Sequence, residues 1–451
     1  MSILSVLIYL LFLIVLGLPV LCMSTTVKMR LGLKDLPLAF FSGMGIQGFL
    51  FFYASYLGFI PTPKVMMIFA VPAIAVSIFI WRRKCLDLCL IDPDSRLRSS
   101  ALWIFIGFLL ITFLLILYSQ VSLFYRWDAY AVWGIKGKVL ATESLRETTF
   151  FSNLLHHYNH VDYPFLHPLM ISVFYGLSGE FNELGIKLFF PLSYLMLMVF
   201  LYHEFRRLLK PSLVFTLCIL FIALTPELLI WSTTGHAELS LVCHYTLSIA
   251  FILRWMKSGE IRDIIIASLF AAFLLFTKNE GMVIFAILVL VVLVQCLKNK
   301  AQLKKDFPLF VLLPIVLLVP YMMWSYNLDV ENVYTSQLTG AAAEGYLARL
   351  PIIIKTMAVE LLNIRRWSLL FPLLLCLLIM NRTQLLKDKR LQMLLMMLGL
   401  HLLGYATVYM ISPNDVVWHM QTSLQRLILH VTPAAFFILI ICLNEDKLGS
   451  K

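Results

Sequence analysis

Asp128 is the residue of this sequence whose type and position point most directly to chemistry. It comes just after an apolar run at residues 100–121 that is long enough to cross a bilayer. A carboxylate at a membrane exit can take the proton from a reacting hydroxyl group. Its position alone leaves two other interpretations open, solvation or pairing with Arg126 or Lys136. The aromatic residues around it are typical of an interfacial belt, which does not explain the acid.

Further polar residues that could bind a ligand or carry a proton stand between the later apolar runs. They are Lys136, Lys138, His156, His157, His160, Asp162 and His167, followed by His236, Glu238, Lys278, Glu280, Asn414, Asp415, His419 and Arg426. Histidine and carboxylate groups are common metal ligands, but the spacing of those from His156 to Asp162 matches no standard metal motif. A solvated loop is the simpler interpretation of His156 and His157.

Two basic residues need an anionic partner or ligand. Arg426 lies about one turn into the last apolar run, where an unpaired guanidinium is costly, so it must meet a carboxylate or a phosphate. Lys278 and Glu280 are two residues apart, and helical side chains at that spacing do not face each other. We therefore expect both to reach a ligand rather than to pair. The plainer interpretation of residues 277–281 is a polar hairpin in which Gly281 closes a helix end.

The elements that must hold these residues are membrane helices. Of 451 residues, 61% are hydrophobic and 14% are charged, and the mean hydropathy is +0.89. This composition predicts an all-α polytopic membrane protein. The net charge of +11 does not indicate nucleic acid as a partner, because the basic residues are scattered between apolar runs. The eight cysteines fall in predicted spans or cytoplasmic loops, so we expect neither disulfides nor a zinc site at Cys85 and Cys89.

The basic residues set the predicted orientation, because short cytoplasmic loops collect Lys and Arg. The clusters are Lys28/Arg30/Lys34, Arg82/Arg83/Lys84 with Arg96/Arg98, Arg206/Arg207/Lys210, Arg254/Lys257/Arg262, Lys298/Lys300/Lys304/Lys305 and Arg382/Lys387/Lys389/Arg390. At about 20 apolar residues for each crossing, we predict about thirteen spans, near 3–23, 36–59, 65–81, 100–121, 186–205, 211–231, 239–256, 263–277, 281–297, 307–325, 361–380, 391–411 and 427–443. The N-terminus then lies outside, the first run is a retained helix, and residues 444–451 form a cytoplasmic tail.

The apolar segment at 167–178 is too short to cross, and counting it as a span would move the cluster at Arg206 outside. We therefore predict that it lies in the membrane plane. Residues 122–185 then form a large first extracytoplasmic loop, with an amphipathic helix near 128–142 and a turn at Asp162-Tyr163-Pro164. The other outer segments are 232–238, 277–281, 326–350 and 412–426. All the polar residues above lie on this outer face.

Several short motifs share that face. They are Trp127-Asp128-x-x-x-x-Trp133-x-x-Lys136, His160-x-Asp162-Tyr163-Pro164, Gly235-His236-Ala237-Glu238, Thr277-Lys278-Asn279-Glu280-Gly281, and Trp418-His419 with Ser423-x-x-Arg426. From about residue 100 to 443 the sequence resembles the GT-C class of membrane glycosyltransferases. Within that class it looks like bacterial members related to the protein O-mannosyltransferase and lipid A aminoarabinose transferase group. The order of the motifs and their placement on one face carry the resemblance.

The resemblance implies an enzyme that moves a sugar from a polyprenyl-phosphate carrier to an extracytoplasmic glycan, lipid or protein. It also implies that the essential acid of the first outer loop is Asp128 and that residues 100–443 form the catalytic domain. The three spans within 1–99 depart from the family pattern and suggest an added module. Glu238 stands where many relatives carry Asp. The implied location is the cytoplasmic membrane of a bacterium.

The residue types suggest how such a transfer would proceed, with inversion of the sugar by a single displacement. We expect Asp128 to act as the base and three cations, Arg426, Lys278 and Lys136, to bind the donor phosphate. The residues expected to orient the acceptor or to hold a divalent metal ion are His160, Asp162, His236, Glu238, Glu280 and His419. Membrane lipids are further expected partners.

Three other functions remain open at this point. A lipid or polysaccharide transporter should place ionisable residues along a path and show a repeat, and this sequence shows neither. A polysaccharide polymerase or ligase should carry its large catalytic loop late in the chain, whereas the longest outer segment here is early. A non-catalytic assembly factor would keep the fold and bind the lipid carrier without transfer.

Overall fold

The computed structural model describes residues 3–25, 30–84, 87–88, 99–124, 126–297, 299–328 and 346–444, and helices dominate them. The strands among these residues are Arg30–Leu31 and Asp87–Leu88, which pair in parallel. The α-helices are α1 (Ile3–Ser24), α2 (Leu36–Tyr56), α3 (Pro63–Lys84), α4 (Ser99–Ser119), α5 (Ile135–Thr142), α6 (Leu166–Ser178), α7 (Glu183–Lys187), α8 (Phe189–Phe205), α9 (Leu213–Ala223), α10 (Pro226–Trp231), α11 (Glu238–Ser258), α12 (Ile261–Thr277), α13 (Glu280–Cys296), α14 (Lys300–Tyr326), α15 (Tyr346–Leu361), α16 (Ile364–Trp367), α17 (Leu370–Met380), α18 (Arg382–Leu385), α19 (Lys389–Met410) and α20 (Val416–Cys442).

Nine helical stretches of the described chain are long and apolar enough to cross a membrane. They are Ile3–Ser24, Leu36–Tyr56, Pro63–Lys84, Leu102–Ser119, Glu183–Phe205, Glu238–Ser258, Lys300–Tyr326, Lys389–Met410 and Val416–Cys442. Each overlaps one of the thirteen predicted spans. The prediction of a polytopic, helical membrane protein is confirmed, whereas the count of thirteen is not.

The other four predicted spans are shorter helices. Those predicted at 263–277 and 281–297 are α12 and α13, with 17 residues each. The span predicted at 211–231 is divided, because Thr225 precedes a proline and is extended (ψ 115°), so α9 ends and α10 begins at Pro226. The span predicted at 361–380 is divided at Ser368, whose φ of 53° is left-handed.

The centre of the bundle is α11, which packs against α8, α12 and α20. Every residue from Glu238 to Leu253 is buried, as is every residue of α20 from Leu427 to Cys442. In contrast, α3 and α4 expose most of their apolar residues, as helices that face lipid do. The first two helices pack closely on each other, and α2 also packs against α6 and α8, so residues of the N-terminal module are part of the bundle.

The predicted outer loop at 122–185 contains several short helices. Asp128–Gly134 is a π-helix that continues directly into α5, and the Ile135 N–H donates to the Tyr130 carbonyl five residues back. The predicted helix at 128–142 is therefore helical throughout but changes its winding at Ile135. A 3₁₀-helix, Leu154–Asn159, leads to the turn before α6. Residues 166–175 of α6 are all buried, so protein covers this predicted in-plane helix on every side.

The predicted outer segment at 412–426 is helical over most of its length. α20 begins at Val416, where the Asp415 carboxylate accepts a hydrogen bond from the Trp418 N–H, and both His419 and Arg426 stand on this helix. Because the first turns of α20 contain polar residues, a search for apolar runs does not detect where this helix begins. Other predictions lie outside the described residues: the stretch 329–345 of the outer segment 326–350, and the residues Lys28, Cys85, Cys89, Arg96, Arg98 and Lys298.

Candidate active site

Five charged side chains from different elements form one ion-pair network. Arg426 Nη1 donates to Asp128 Oδ2 and lies 3.6 Å from Glu238 Oε1. Lys278 Nζ donates to the same Glu238 oxygen at 3.0 Å and lies 2.7 Å from Glu280 Oε1. Three carboxylates therefore alternate with two cations, from Asp128 at one end to Glu280 at the other.

The fold explains why residues so far apart in sequence meet. Asp128 begins the π-helix, Glu238 begins α11, and Lys278 and Glu280 stand in the turn from α12 to α13, at the same end of the bundle. Arg426 reaches this end from α20, about three turns after that helix begins. Asp128 thus pairs with an arginine 298 residues away, whereas its position in the sequence suggests Arg126 or Lys136 as partners.

The expectation that Lys278 and Glu280 would not pair is wrong. The helical spacing rule does not apply, because Lys278 is extended (φ −162°, ψ 155°) between the two helices and only Glu280 is helical. Lys278 is 3% exposed, and a buried ammonium is costly without an anion close to it. Burial lowers its pKa, but the Glu238 and Glu280 carboxylates more than offset this and hold the pKa above its ordinary value.

Access to solvent differs along the network. The exposed fraction of the side chain is 30% for Asp128 and 19% for Arg426, against 1% for Glu238. Glu238 Oε2 and Glu280 Oε2 are buried and accept no hydrogen bond from the described residues. Asp128 is therefore the carboxylate most open to a substrate, while two buried acceptor oxygens are available to the donor groups of a ligand.

The turn at His160–Tyr163 is attached to this network through Asn279. The Asn279 amide donates to Asp162 Oδ2 at 3.2 Å, and the Tyr321 hydroxyl of α14 donates to the Asp162 carbonyl oxygen at 2.9 Å. The His160 ring is exposed and stacks on Tyr163, with 4.7 Å between ring centroids. Asn279 and Tyr321 were not among the predicted site residues. Asn279 lies inside the Thr277-Lys278-Asn279-Glu280-Gly281 motif, whereas no local pattern marks Tyr321.

Lys136 lies inside the loop and is not bonded to the network. It is fully buried, its Nζ donates to the His160 carbonyl oxygen at 2.7 Å, and the same atom lies 5.2 Å from the centre of the Trp133 ring. Burial lowers the pKa of Lys136 to about 7, which the charge of Asp162 offsets only in part. This geometry favours a structural role for Lys136 in holding the loop. It does not favour the predicted contact with a donor phosphate.

Lys136 should make the stability of the protein depend on pH. Between pH 7 and about 10.5 the unfolded chain binds more protons than the folded one at this site, so stability rises with pH across that window. From pH 7 to 9.5 we expect the unfolding free energy of the wild type to gain about 2–3 kcal/mol relative to Lys136→Met. Thermal unfolding in detergent at both pH values measures this difference. Lys138→Met, at a partly exposed lysine paired with Glu183, is the control, and an equal change there would contradict the assignment.

His236 and His419 stand near the network without a hydrogen bond to it in the described chain. His236 is buried and packs edge-on against Trp231, with centroids 4.9 Å apart. Burial lowers the pKa of His236 to about 4, so its ring is neutral near pH 7. Gly235 before it has a φ of +77° that a residue with a Cβ rarely adopts. His419 Nδ1 is hydrogen-bonded to Ser412 Oγ at 2.8 Å.

Comparison with protein families gives a match over part of the chain. Residues 162–324 match the model of the dolichyl-phosphate-mannose-protein mannosyltransferase family. The match indicates a membrane glycosyltransferase of the GT-C type. It confirms the resemblance seen in the motifs and covers about a third of the chain. Searches among curated proteins and among solved structures found no match.

The matched stretch contains only part of the network. Glu238, Lys278 and Glu280 lie within residues 162–324, whereas Asp128 precedes them and Arg426 follows. The ion pairs of Arg426 join the two parts, because it contacts both Asp128 and Glu238. The roles of the individual residues stay predictions.

The predicted metal ligands do not come together. Within the part of the chain that the structure describes, no group of three or more His, Cys, Asp and Glu side chains could hold a metal ion. The His156 ring stacks on Phe150 at 4.2 Å between centroids, while the Asp162 carboxylate accepts from Asn279.

Gly281 is required by the turn that carries Lys278. A Cβ built on Gly281 would lie 2.2 Å from the carbonyl oxygen of Leu274 on α12. The residue is the second of α13, so the expectation that it closes a helix end is wrong. It lets the backbones of α12 and α13 approach closely enough for Lys278 to reach both carboxylates.

The variant Gly281→Ala should therefore destabilise the protein. The backbone of α12 or α13 must shift, and such overpacking costs about 1–3 kcal/mol. Thermal unfolding in detergent measures the loss. Gly399→Ala in α19 is the matched control, because a Cβ there meets nothing within 4 Å and alanine favours a helix. The prediction fails if both variants unfold at the wild-type temperature.

Proposed function

We propose that this glycosyltransferase moves a sugar from a polyprenyl-phosphate donor to a hydroxyl group of an extracytoplasmic acceptor, at the Asp128–Arg426 pair. The observation that carries the proposal is the position of Arg426, whose guanidinium holds a half-exposed Asp128 on one side and a buried Glu238 on the other. One cation thus stands beside both a candidate base and the place where a leaving phosphate would need positive charge.

The proposed reaction is a single displacement at the anomeric carbon. The acceptor oxygen attacks that carbon while Asp128 takes the hydroxyl proton, and the bond from the anomeric carbon to the phosphate oxygen breaks. The electron pair of that bond leaves with the lipid phosphate. Because attack and departure are on opposite faces of the sugar, the product has the inverted configuration.

Arg426 would serve the two halves of the reaction in turn. Without donor its guanidinium is paired with Asp128, and a guanidinium prefers a phosphate because of its bidentate fork. Donor binding would therefore shift the Arg426 guanidinium from Asp128 to the donor phosphate. The Asp128 carboxylate would then be available as a base. Glu238 keeps Arg426 in place during this exchange, since it lies on the buried side.

The other residues support this exchange in different ways. Lys278 is buried between two carboxylates, which favours Arg426 over Lys278 as the direct phosphate ligand. Lys278 would act by holding Glu238 in position. The exposed His160, with Asp162 and Glu280 beside it, offers acceptors and a donor for the hydroxyl groups of the sugar or the acceptor. We retain His236 and His419 as more distant orienting residues.

The membrane supplies the rest of the site. A polyprenyl chain needs apolar surface, which the outward faces of helices such as α3 and α4 offer, and its phosphate would lie at the same end of the bundle as Asp128. We place this end on the outer face of a bacterial cytoplasmic membrane, because the basic clusters mark the opposite end as cytoplasmic.

Donor choice tests the proposal. Membranes that contain the wild type are supplied with labelled sugars on polyprenyl phosphate and, separately, with the same sugars on nucleotides. We expect consumption of at least one lipid-linked donor, no use of nucleotide sugars, and an inverted product. Consumption of nucleotide sugars alone, or retention of configuration, would contradict the mechanism. If no donor is used, the polymerase, transporter and assembly-factor functions gain support.

A chelator arm of the same assay tests the predicted divalent ion. Loss of transfer with chelator that Mg²⁺ or Mn²⁺ restores would support a metal role for the acidic residues of the site. Unchanged transfer would contradict it and leave charge stabilisation to Arg426 and Lys278.

A further inference from the structure

A second charged region lies at the other end of α11. It lines a cavity of about 850 Å³ that is bounded by the ends of α8, α11 and α13 and by the starts of α2, α12, α14 and α19. Glu238 of the network and Arg254 of the cavity are sixteen residues apart on α11, about 24 Å along the helix. The cavity is therefore separate from the candidate active site.

Positive charge dominates this cavity. Seven Lys and Arg residues line it, against three Asp and Glu residues. All three carboxylates already have close partners: Glu204 is hydrogen-bonded to Arg254, with 3.2 Å from its Oε1 to Arg254 Nε, Asp263 accepts from Ser258 Oγ at 2.8 Å, and Asp35 accepts from the Gly32 N–H at 2.9 Å. Arg390 has its own partner outside the lining, Asp388 at 2.7 Å, and the described lining still holds more cations than carboxylates.

Two arginines show this imbalance directly. Arg262 Nε is buried, donates to no described residue, and lies 3.8 Å from the nearest Asp263 oxygen. Arg207, whose side chain is 53% exposed, lies 3.7 Å from Glu204, which Arg254 already engages. An anion bound in the cavity would provide a closer partner for both guanidinium groups.

A topology signal alone does not require this arrangement. Basic residues that only mark the cytoplasmic side need to be near the membrane, and they can all point into solvent. Here cations from five elements converge on one space that also has apolar walls, including Leu38, Leu253 and Trp255. A volume of this size is typical of small-molecule sites.

We propose that this cavity binds a phosphate group, held by Arg262, Arg207 and Lys257. Guanidinium groups match phosphate oxygens in a bidentate manner, and the apolar wall suits the hydrocarbon part of a molecule that carries the phosphate. Two sources carry this chemistry, the head group of an anionic phospholipid and a soluble phosphate ester. No residue of the cavity belongs to the Asp128–Arg426 network, so this inference and the proposed transfer succeed or fail separately.

Binding of fluorescent phosphatidylglycerol to the full chain in neutral detergent tests the site. We compare the wild type with the double variant Lys257→Gln/Arg262→Gln and with Lys304→Gln/Lys305→Gln. The control pair is exposed at the same end of the bundle, lies outside the cavity and removes the same charge. We expect the cavity variant to weaken binding about tenfold or more and the control to change it less than about threefold. Thermal unfolding of all three proteins shows whether each variant is folded.

Competition identifies the source of the phosphate. Displacement of the probe by glycerol 3-phosphate would support a soluble ester, and displacement by unlabelled phosphatidylglycerol alone would support a lipid head group. Equal weakening in both double variants would overturn the proposal, since diffuse surface charge would then explain the binding. Saturable binding that phosphatidylcholine displaces equally well would overturn it too.

Discussion

The variant Asp128→Asn should lose sugar transfer by about 10³-fold or more while it still binds the donor. Removal of a general base typically costs about 10²–10⁴-fold in rate. Asparagine cannot take the proton, although it fills the same space beside Arg426. Because Asp128 competes with the donor phosphate for Arg426, the affinity for polyprenyl phosphate should stay the same or increase. Turnover of a lipid-linked donor and equilibrium binding of the lipid phosphate measure the two effects.

The opposite changes of rate and affinity separate catalysis from structure. A misfolded Asp128→Asn protein would lose both, and a change in folding would appear in its unfolding temperature. Glu143→Gln is a suitable control, because Glu143 is an exposed carboxylate at the end of α5 in the same loop. Transfer by Asp128→Asn within about tenfold of the wild type would be too small an effect for a base and would contradict the assignment.

Replacement of Arg426 by glutamine should impair both donor binding and transfer. A charge-assisted contact to a developing phosphate charge is worth about 2.7–4 kcal/mol, so we expect a loss of about 10²–10³-fold in kcat/KM for the donor. Arg426→Lys keeps the charge but loses the bidentate fork, and its activity should lie between those of the wild type and Arg426→Gln. Steady-state kinetics at several donor concentrations measure all three.

The control for Arg426 is Arg146→Gln, which removes an exposed guanidinium from the outer loop. Thermal unfolding is needed as well, since Arg426 is largely buried and its loss leaves Glu238 with Lys278 alone as a close cation. If Arg426→Gln lowered kcat without changing donor KM or the affinity for lipid phosphate, Arg426 would not be the phosphate ligand.

Long apolar runs and the residue types of the site could be predicted from the sequence. Nine predicted spans are long apolar helices of the described chain. The stretch that matches a family of the GT-C class contains two of the motifs that suggest such an enzyme, at 235–238 and 277–281. The apolar pattern identifies such helices because lipid and protein interiors both require it. The apolar pattern could not locate the end of a helix where polar residues occupy that end, as they do at the start of α20.

Pairing in the site could not be predicted, because it depends on tertiary contacts. The partner of Asp128 is 298 residues away, and Tyr321 contacts the Asp162 carbonyl from the far end of α14. Lys278 and Glu280 meet because the chain between α12 and α13 is extended, which a rule for helices cannot represent. The basic clusters were interpreted as topology signals, and only the packed helices show that several of them share one cavity.

The measurement that tests the central claim most directly is a single turnover of labelled donor by purified protein in vesicles of defined lipid. It follows the sugar and the released lipid phosphate together, for the wild type and for Asp128→Asn. We expect the wild type to form glycosylated acceptor and lipid phosphate at equal rates, with inverted configuration, and Asp128→Asn to form neither at a comparable rate. Equal product formation by the two proteins would contradict the claim that this site transfers sugar from a lipid phosphate.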